Sequence, residues 1–160
     1  MSTIVVVSGN PRPGSRTLTL ATAVGSAIAG AAGAADPAVI DVGVLGAGLL
    51  TPGDAGTAAA VELLKSADLL VVATPTYKGS YTGILKVLLD QLPAGALAGK
   101  LAVPVVTAGV APQAAAAEAL LRRLLIELGA EVADPGLPVV EAELNESAAV
   151  AEKYAAGRTW

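Results

Sequence analysis

The sequence predicts an α/β chain: a doubly wound parallel sheet of five strands in the order 2-1-3-4-5, with helices on both faces. Three observations carry that prediction. Apolar runs alternate with longer helical patterns as βαβαβαβαβα, which implies a parallel sheet with right-handed crossovers. The stretch Asp68-Leu-Leu-Val-Val-Ala-Thr74 is apolar without alternation, as a strand covered on both faces must be. Polar loops follow the first, third and fourth strands, at the edge where sheets of this kind bind ligands.

The elements follow in order. Thr3-Ile-Val-Val-Val7 is the first strand. Residues 16–33 read as the first helix, ending at Gly30 and Gly33, and its small residues suggest close packing on the sheet. Ala38–Val42 is a short second strand, and residues 43–57, Gly-rich with Pro52, read as a loop. Residues 57–66 form a second helix with Val61, Leu64 and Lys65 at helical spacing. The third strand, 68–74, runs into a polar loop, Thr74–Gly83, that feeds a third helix over Ile84–Leu92. Residues 101–107 make the fourth strand. Pro104 lies inside it with no N–H to donate, so a bulge or a broken pairing is expected there. After a third loop, Thr107–Gln113, residues 114–128 form an amphipathic helix. Leu120, Leu121, Leu124, Leu125 and Leu128 share one face, and Glu118–Arg122 and Arg123–Glu127 pair on the other. A last strand lies within 131–141, interrupted by Pro135, Gly136 and Pro138, before a final helix over 145–155.

Composition excludes several kinds of chemistry. At 160 residues, one domain spanning 1–160 is expected. A net charge of −4 with no basic stripe speaks against nucleic acid as a partner. With no histidine and no cysteine, nucleophile and acid–base sets built on those residues are impossible, and zinc loses its favoured ligands. The lack of cysteine fits a reducing cytoplasm, as does the lack of a basic and apolar leader. Residues 17–35 carry no charge, but they are mostly Ala, Gly, Ser and Thr, too weakly apolar for a membrane span. The carboxylates are scattered, so an enzyme built on this chain would rely on a cofactor.

The stretch richest in chemistry is Ser8-Gly-Asn-Pro-Arg-Pro-Gly-Ser-Arg-Thr17, between the first strand and the first helix. The first N–H groups of a helix lack partners and point at whatever precedes it, which makes an anion site. The loop adds Ser8, Asn10, Ser15 and Thr17 as polar side chains and Arg12 and Arg16 as cations, two of only ten basic residues. It reads as a phosphate cradle, against the plainer alternative of a turn with solvated arginines. It is not the dinucleotide-binding G-x-G-x-x-G, nor G-x-x-x-x-G-K-[ST]. A near miss to the latter, Gly95-Ala-Leu-Ala-Gly-Lys100, is one residue short, is followed by Leu101, and precedes a strand instead of following one.

Gly9–Thr17, the segment Ala73-Thr-Pro-Thr-Tyr-Lys-Gly-Ser-Tyr-Thr-Gly83 with Leu85-Lys86 and Leu89-Asp90 beyond it, and Gly99-Lys100 to Gly109 together resemble the NAD(P)H-dependent FMN reductases of flavodoxin-like fold. The likeness is strongest to the alkanesulfonate-type enzymes that supply reduced flavin to a monooxygenase, and it covers roughly residues 3–130. It implies that Asn10, Arg12, Ser15, Arg16 and Thr17 hold the FMN phosphate. Pro75, Thr76, Tyr77, Lys78 and Ser80 would line the isoalloxazine, and Thr107, Ala108 and Gly109 would cover its pyrimidine side. Each has a plainer reading: Tyr77 and Tyr81 as half-buried packing residues, Lys78 as a solvated loop lysine, Lys86 and Asp90 as a helix-surface pair. Two departures stand out. The longer reductases extend past the position of Trp160, and a tyrosine that those of the alkanesulfonate type associate with a π-bulge is Ala119 here.

The resemblance therefore implies a hydride transfer from NADPH or NADH to FMN, with no catalytic side chain. It also implies a homodimer or homotetramer and a possible flavin-dependent monooxygenase as partner. The alternatives are a quinone, azo or chromate reductase with FMN as a fixed group, or a flavodoxin-like electron carrier. An aromatic content of 2% argues against the carrier, which usually frames its flavin with aromatics.

Overall fold

The computed structural model describes residues 2–160. Its elements are β1 (Ile4–Ser8), α1 (Arg16–Ala32), β2 (Ala38–Asp41), α2 (Val42–Leu45), a 3₁₀ turn (Gly46–Leu50), α3 (Ala55–Ser66), β3 (Leu69–Pro75), α4 (Gly83–Leu89), β4 (Leu101–Ala108), α5 (Ala111–Glu127), β5 (Glu131–Val132), β6 (Leu137–Val140), a second 3₁₀ turn (Glu141–Glu146) and α6 (Ser147–Ala155). The strands are parallel in the order β2-β1-β3-β4-β5, and β6 also pairs with β4.

Strand alternation divides the core between the two faces. Val5, Val7, Leu70, Val72 and Val106 point to one side, where Leu64, Leu85, Leu88, Leu121 and Leu125 of α3, α4 and α5 cover them. Ile4, Val6, Val71, Val103 and Val105 point to the other, against Leu20, Val24 and Ile28 of α1 and Ala151 and Tyr154 of α6. The small residues of α1 act as expected: a Cβ on Gly25 would collide with Val6 Cγ2, so glycine is what lets the helix lie this close to β1.

The fifth strand position is filled by two short pieces, which makes six strands where five were expected. Pro104 is the cause. The carbonyls of Lys100 and Ala102 accept from Glu131 and Ala133 at the sheet edge, so by alternation Pro104 turns its donor-less nitrogen to the same side. Pairing with β3 continues through Val72 opposite Pro104, while on the edge side β5 ends at Val132 and β6 resumes opposite Val105. Between them the chain passes a cis Asp134–Pro135 bond, held by Arg122 Nη2 donating to the Ala133 carbonyl at 2.7 Å and Tyr154 Oη donating to the Pro135 carbonyl at 2.7 Å.

Other differences also have physical causes. The loop expected over 43–57 contains α2 and a 3₁₀ turn, because burial of Val42 and Leu49 outweighs the poor helix propensity of the glycines around them. Helix α5 begins at Ala111 and includes Pro112, since a proline in the first turn gives up an N–H that has no partner there. It is α-helical throughout, including Ala119. Glu118–Arg122 pairs at 2.8 Å and Lys86–Asp90 at 2.7 Å, whereas Arg123–Glu127 is not a salt bridge among the described residues. Among the described residues, no helix is long and apolar enough to cross a membrane.

Candidate functional site

The loop after β1 is shaped by its own side chains. Asn10 Oδ1 accepts from the Arg12 N–H at 2.9 Å and Asn10 Nδ2 donates to Thr17 Oγ1 at 3.1 Å, so Asn10 braces the loop at both ends. Ser15 is the N-cap of α1: its Oγ accepts from the Leu18 N–H at 3.2 Å, and the Thr19 N–H reaches the Ser15 carbonyl. The N–H groups of Arg16 and Thr17 precede that first intrahelical bond and face out of the helix start. The hydroxyls of Ser15 and Thr17 are each engaged as acceptors and keep a proton to donate. Arg12 and Arg16 are exposed and in no salt bridge among the described residues. Two backbone donors, two hydroxyls and two guanidiniums thus surround one helix N-terminus, the donor set that a phosphate requires.

The loop after β3 is fastened to its neighbours. Thr82 Oγ1 donates to the Gly9 carbonyl at 2.5 Å and caps α4 by accepting from the Leu85 N–H at 3.3 Å. Thr76 Oγ1 donates to the Thr107 carbonyl at 2.8 Å, which ties the second loop to the third. Between them Tyr77 and Ser80 exchange backbone hydrogen bonds at 2.9 and 3.2 Å around Lys78 and Gly79. Both central residues have positive φ, 53° and 82°, as a two-residue hairpin turn of type I′ demands. Tyr77 stands 49% exposed on this turn, free to lie against a ligand, while Tyr81 packs against the core below.

A cleft of about 410 Å³ opens where these loops meet, within the range of small-molecule sites. Its lining includes Asn10, Arg12, Ser15, Arg16, Thr17, Pro75, Tyr77 and Thr107, eight of the residues expected from the sequence. Thr76, Lys78, Ser80, Ala108 and Gly109 do not line it. Three further residues do: Gly14, and Glu141 and Leu144 from the 3₁₀ turn after β6. The rule that ligands sit beyond the strands' carboxyl ends applies to β6 as well, but Pro135, Gly136 and Pro138 hid the end of that strand in the sequence. A larger cleft of about 530 Å³, between Leu49–Ala58 and α4, shares no residue with this site.

The family model for NADPH-dependent FMN reductase matches residues 2–143. The chain belongs to this family. It is 33% identical over 154 residues to FMN reductase (NADPH) of Pseudomonas aeruginosa, an alignment covering 93% of this chain and 82% of that one. It is 46% identical over 70 residues to FMN reductase (NADPH) of Escherichia coli, covering 44% of this chain and only 37% of the length of that relative. Among solved structures it is similar to an NADH:FMN oxidoreductase in its apo form, with a TM-score of 0.83 and 29% identity, covering 99% of this chain and 91% of the other. An archaeal flavodoxin, at a TM-score of 0.66 and 20% identity over 96% of each chain, shares the fold.

As a member of the FMN reductase family, the chain has a flavodoxin-like sheet and a polar, cationic cleft at its carboxyl edge. The loops that carried the resemblance lie in or beside that cleft.

Proposed function

We propose that the chain is a single flavin-binding domain over residues 1–160 that transfers a hydride from NADPH or NADH to FMN. The observation that carries this reading is the continuity of two features: a six-donor anion cradle at the start of α1, and a cleft that extends from it past Pro75, Tyr77 and Thr107. The first fits a phosphate and the second fits a planar group attached to it. FMN held there supplies the hydride acceptor, so the chain needs no acid or base of its own.

In this reading Asn10, Arg12, Ser15, Arg16 and Thr17 bind the phosphate. Pro75 and Tyr77 would form the wall along the isoalloxazine and Thr107 its pyrimidine edge, with Thr76, Lys78, Ser80, Ala108 and Gly109 beside the cleft on the same two loops. The hydrogen bonds of Thr82 and Thr76 tie the three loops to one another, which would hold a bound flavin in a single orientation. We further propose that the protein acts in the cytoplasm as a homodimer or homotetramer, and that reduced FMN leaves it for a separate flavin-dependent monooxygenase.

The test is oxidation of NADH and NADPH assayed with added FMN, FAD, riboflavin and a quinone. Rates that saturate with FMN, from protein that purifies largely colourless, are the expected result. Protein that purifies fully yellow, ignores added FMN and follows the quinone would make the flavin a fixed prosthetic group and overturn the supply role.

A further inference from the structure

We infer that Asp41 is a positioning residue for phosphate binding: from behind the first loop, it holds the turn at Gly14 in the shape that receives the FMN phosphate. The inference rests on the proposed placement of that phosphate. Asp41 ends β2, in register with Ser8 at the end of β1, and does not line the cleft. Its Oδ2 accepts from the Gly14 N–H at 2.9 Å across 27 residues of sequence. Gly14 has a φ of 64°, a left-handed conformation that brings the chain round into Ser15 and α1. The Asp41 bond therefore fixes the one turn whose geometry decides where the Arg16 and Thr17 N–H groups and the Ser15 and Thr17 hydroxyls point.

The next residues press on the same loop. A Cβ on Gly43 would lie 2.8 Å from the carbonyl oxygens of both Asn10 and Pro11, and 3.0 Å from the Pro13 nitrogen. Segment 41–43 thus supports the loop twice, by a hydrogen bond at Gly14 and by close backbone packing under Asn10–Pro13.

A separate observation sets Asp41 apart. Ser8 Oγ and Asp41 Oδ1 are the two buried side-chain polar atoms without a hydrogen-bond partner among the described residues. Both belong to one register pair, so their side chains share a face of the sheet directly under the cradle. An unpartnered buried oxygen lowers stability, and such violations of local rules collect where function requires the group. The charge also has the wrong sign for an anion site. A carboxylate behind a phosphate repels it, so Asp41 is useful there only through the geometry it imposes.

That conflict gives a test by sign. FMN and riboflavin differ at the phosphate, so the ratio of their dissociation constants reads the cradle alone. With fluorescence titration, Asp41→Ala should loosen FMN about tenfold through loss of a charge-assisted hydrogen bond and leave riboflavin within about twofold. Asp41→Asn, which keeps an acceptor for Gly14, should restore FMN binding. Gly43→Ala, which displaces the loop without altering charge, should also loosen FMN selectively, and it decides the matter with Asp41→Asn if the alanine variant at 41 does not fold. FMN binding that tightens in Asp41→Ala, or losses equal for both flavins in these variants, overturns the inference. Parent protein that binds FMN no better than riboflavin overturns the phosphate placement as well. A parent that discriminates, with variants that discriminate equally well, overturns the role of Asp41 alone.

Discussion

Ser15 and Arg12 sit in the same cradle, but they answer to different forces. Ser15 caps α1, so its hydroxyl both begins a helix and faces the anion site. Ser15→Ala should lower stability by about 1 kcal/mol, as lost N-caps do, and weaken FMN more than riboflavin. Arg12 is exposed and in no salt bridge among the described residues, so Arg12→Ala should leave the unfolding midpoint unchanged while weakening FMN. Urea unfolding and flavin titration on both variants separate the two roles. A stability loss in Arg12→Ala, or none in Ser15→Ala, contradicts this division. Because both guanidiniums are solvent-exposed, FMN affinity in the parent should also fall as salt rises, and riboflavin affinity should not.

Among the elements, the split edge of the sheet is the one whose packing makes the sharpest demands. Gly136 passes so close to β4 that a Cβ would lie 2.7 Å from Pro104 Cγ and 2.6 Å from Glu118 Oε1, itself held by Arg122. Gly136→Ala should therefore destabilise by about 1–3 kcal/mol, in the range of overpacked sites, as read by denaturant unfolding. Helix α6 closes the same edge through Tyr154, with Arg158 stacked 4.3 Å from its ring centroid. Burial holds the Tyr154 hydroxyl above its ordinary value of 10.0, more than the nearby Arg158 and Arg122 lower it. Since the folded state binds that proton more tightly, the stabilisation is complete below pH 10 and is lost as pH rises through the folded value. Tyr154→Phe should remove this alkaline loss, measured as the unfolding midpoint from neutral pH to above 10, and a parent with no such loss refutes it. These elements also mark where the sequence was legible. β1 and β3 could be read because burial on both faces leaves an unbroken apolar run, and the α1 loop because its donors are contiguous. Within residues 131–146 a last strand was legible but not its limits, since the prolines that split the edge strand also masked the turn carrying Glu141 and Leu144. Asp41 was invisible for another reason: its contact with Gly14 exists only once β2 pairs with β1.

At the scale of the whole molecule, helix α5 leaves one apolar depression exposed among the described residues. Leu120 is 41% exposed on α5, and Tyr81, Leu120, Arg123, Leu124 and Glu127 line a shallow depression there. Tyr81, Leu120 and Leu124, rimmed by Arg123 and Glu127, make the kind of apolar depression at which chains associate, and the simplest closed arrangement for identical chains is a two-fold dimer. A stable dimer buries about 800 Å² per partner, roughly a tenth of the 7458 Å² this chain exposes. The rim fits the same arrangement. Arg123 and Glu127 were expected to pair within α5, yet they do not do so among the described residues, which leaves both free to pair across a two-fold axis. Light scattering at micromolar concentration should give a homo-oligomer for the parent. Leu120→Asp should dissociate it with unchanged far-ultraviolet dichroism. Arg123→Glu should also dissociate it, by placing like charges across the axis, and adding Glu127→Arg should restore assembly, because a two-fold contact only requires that the signs be opposite. A parent that is a clean monomer removes the interface altogether. An oligomer indifferent to all three substitutions places it on another face of the molecule.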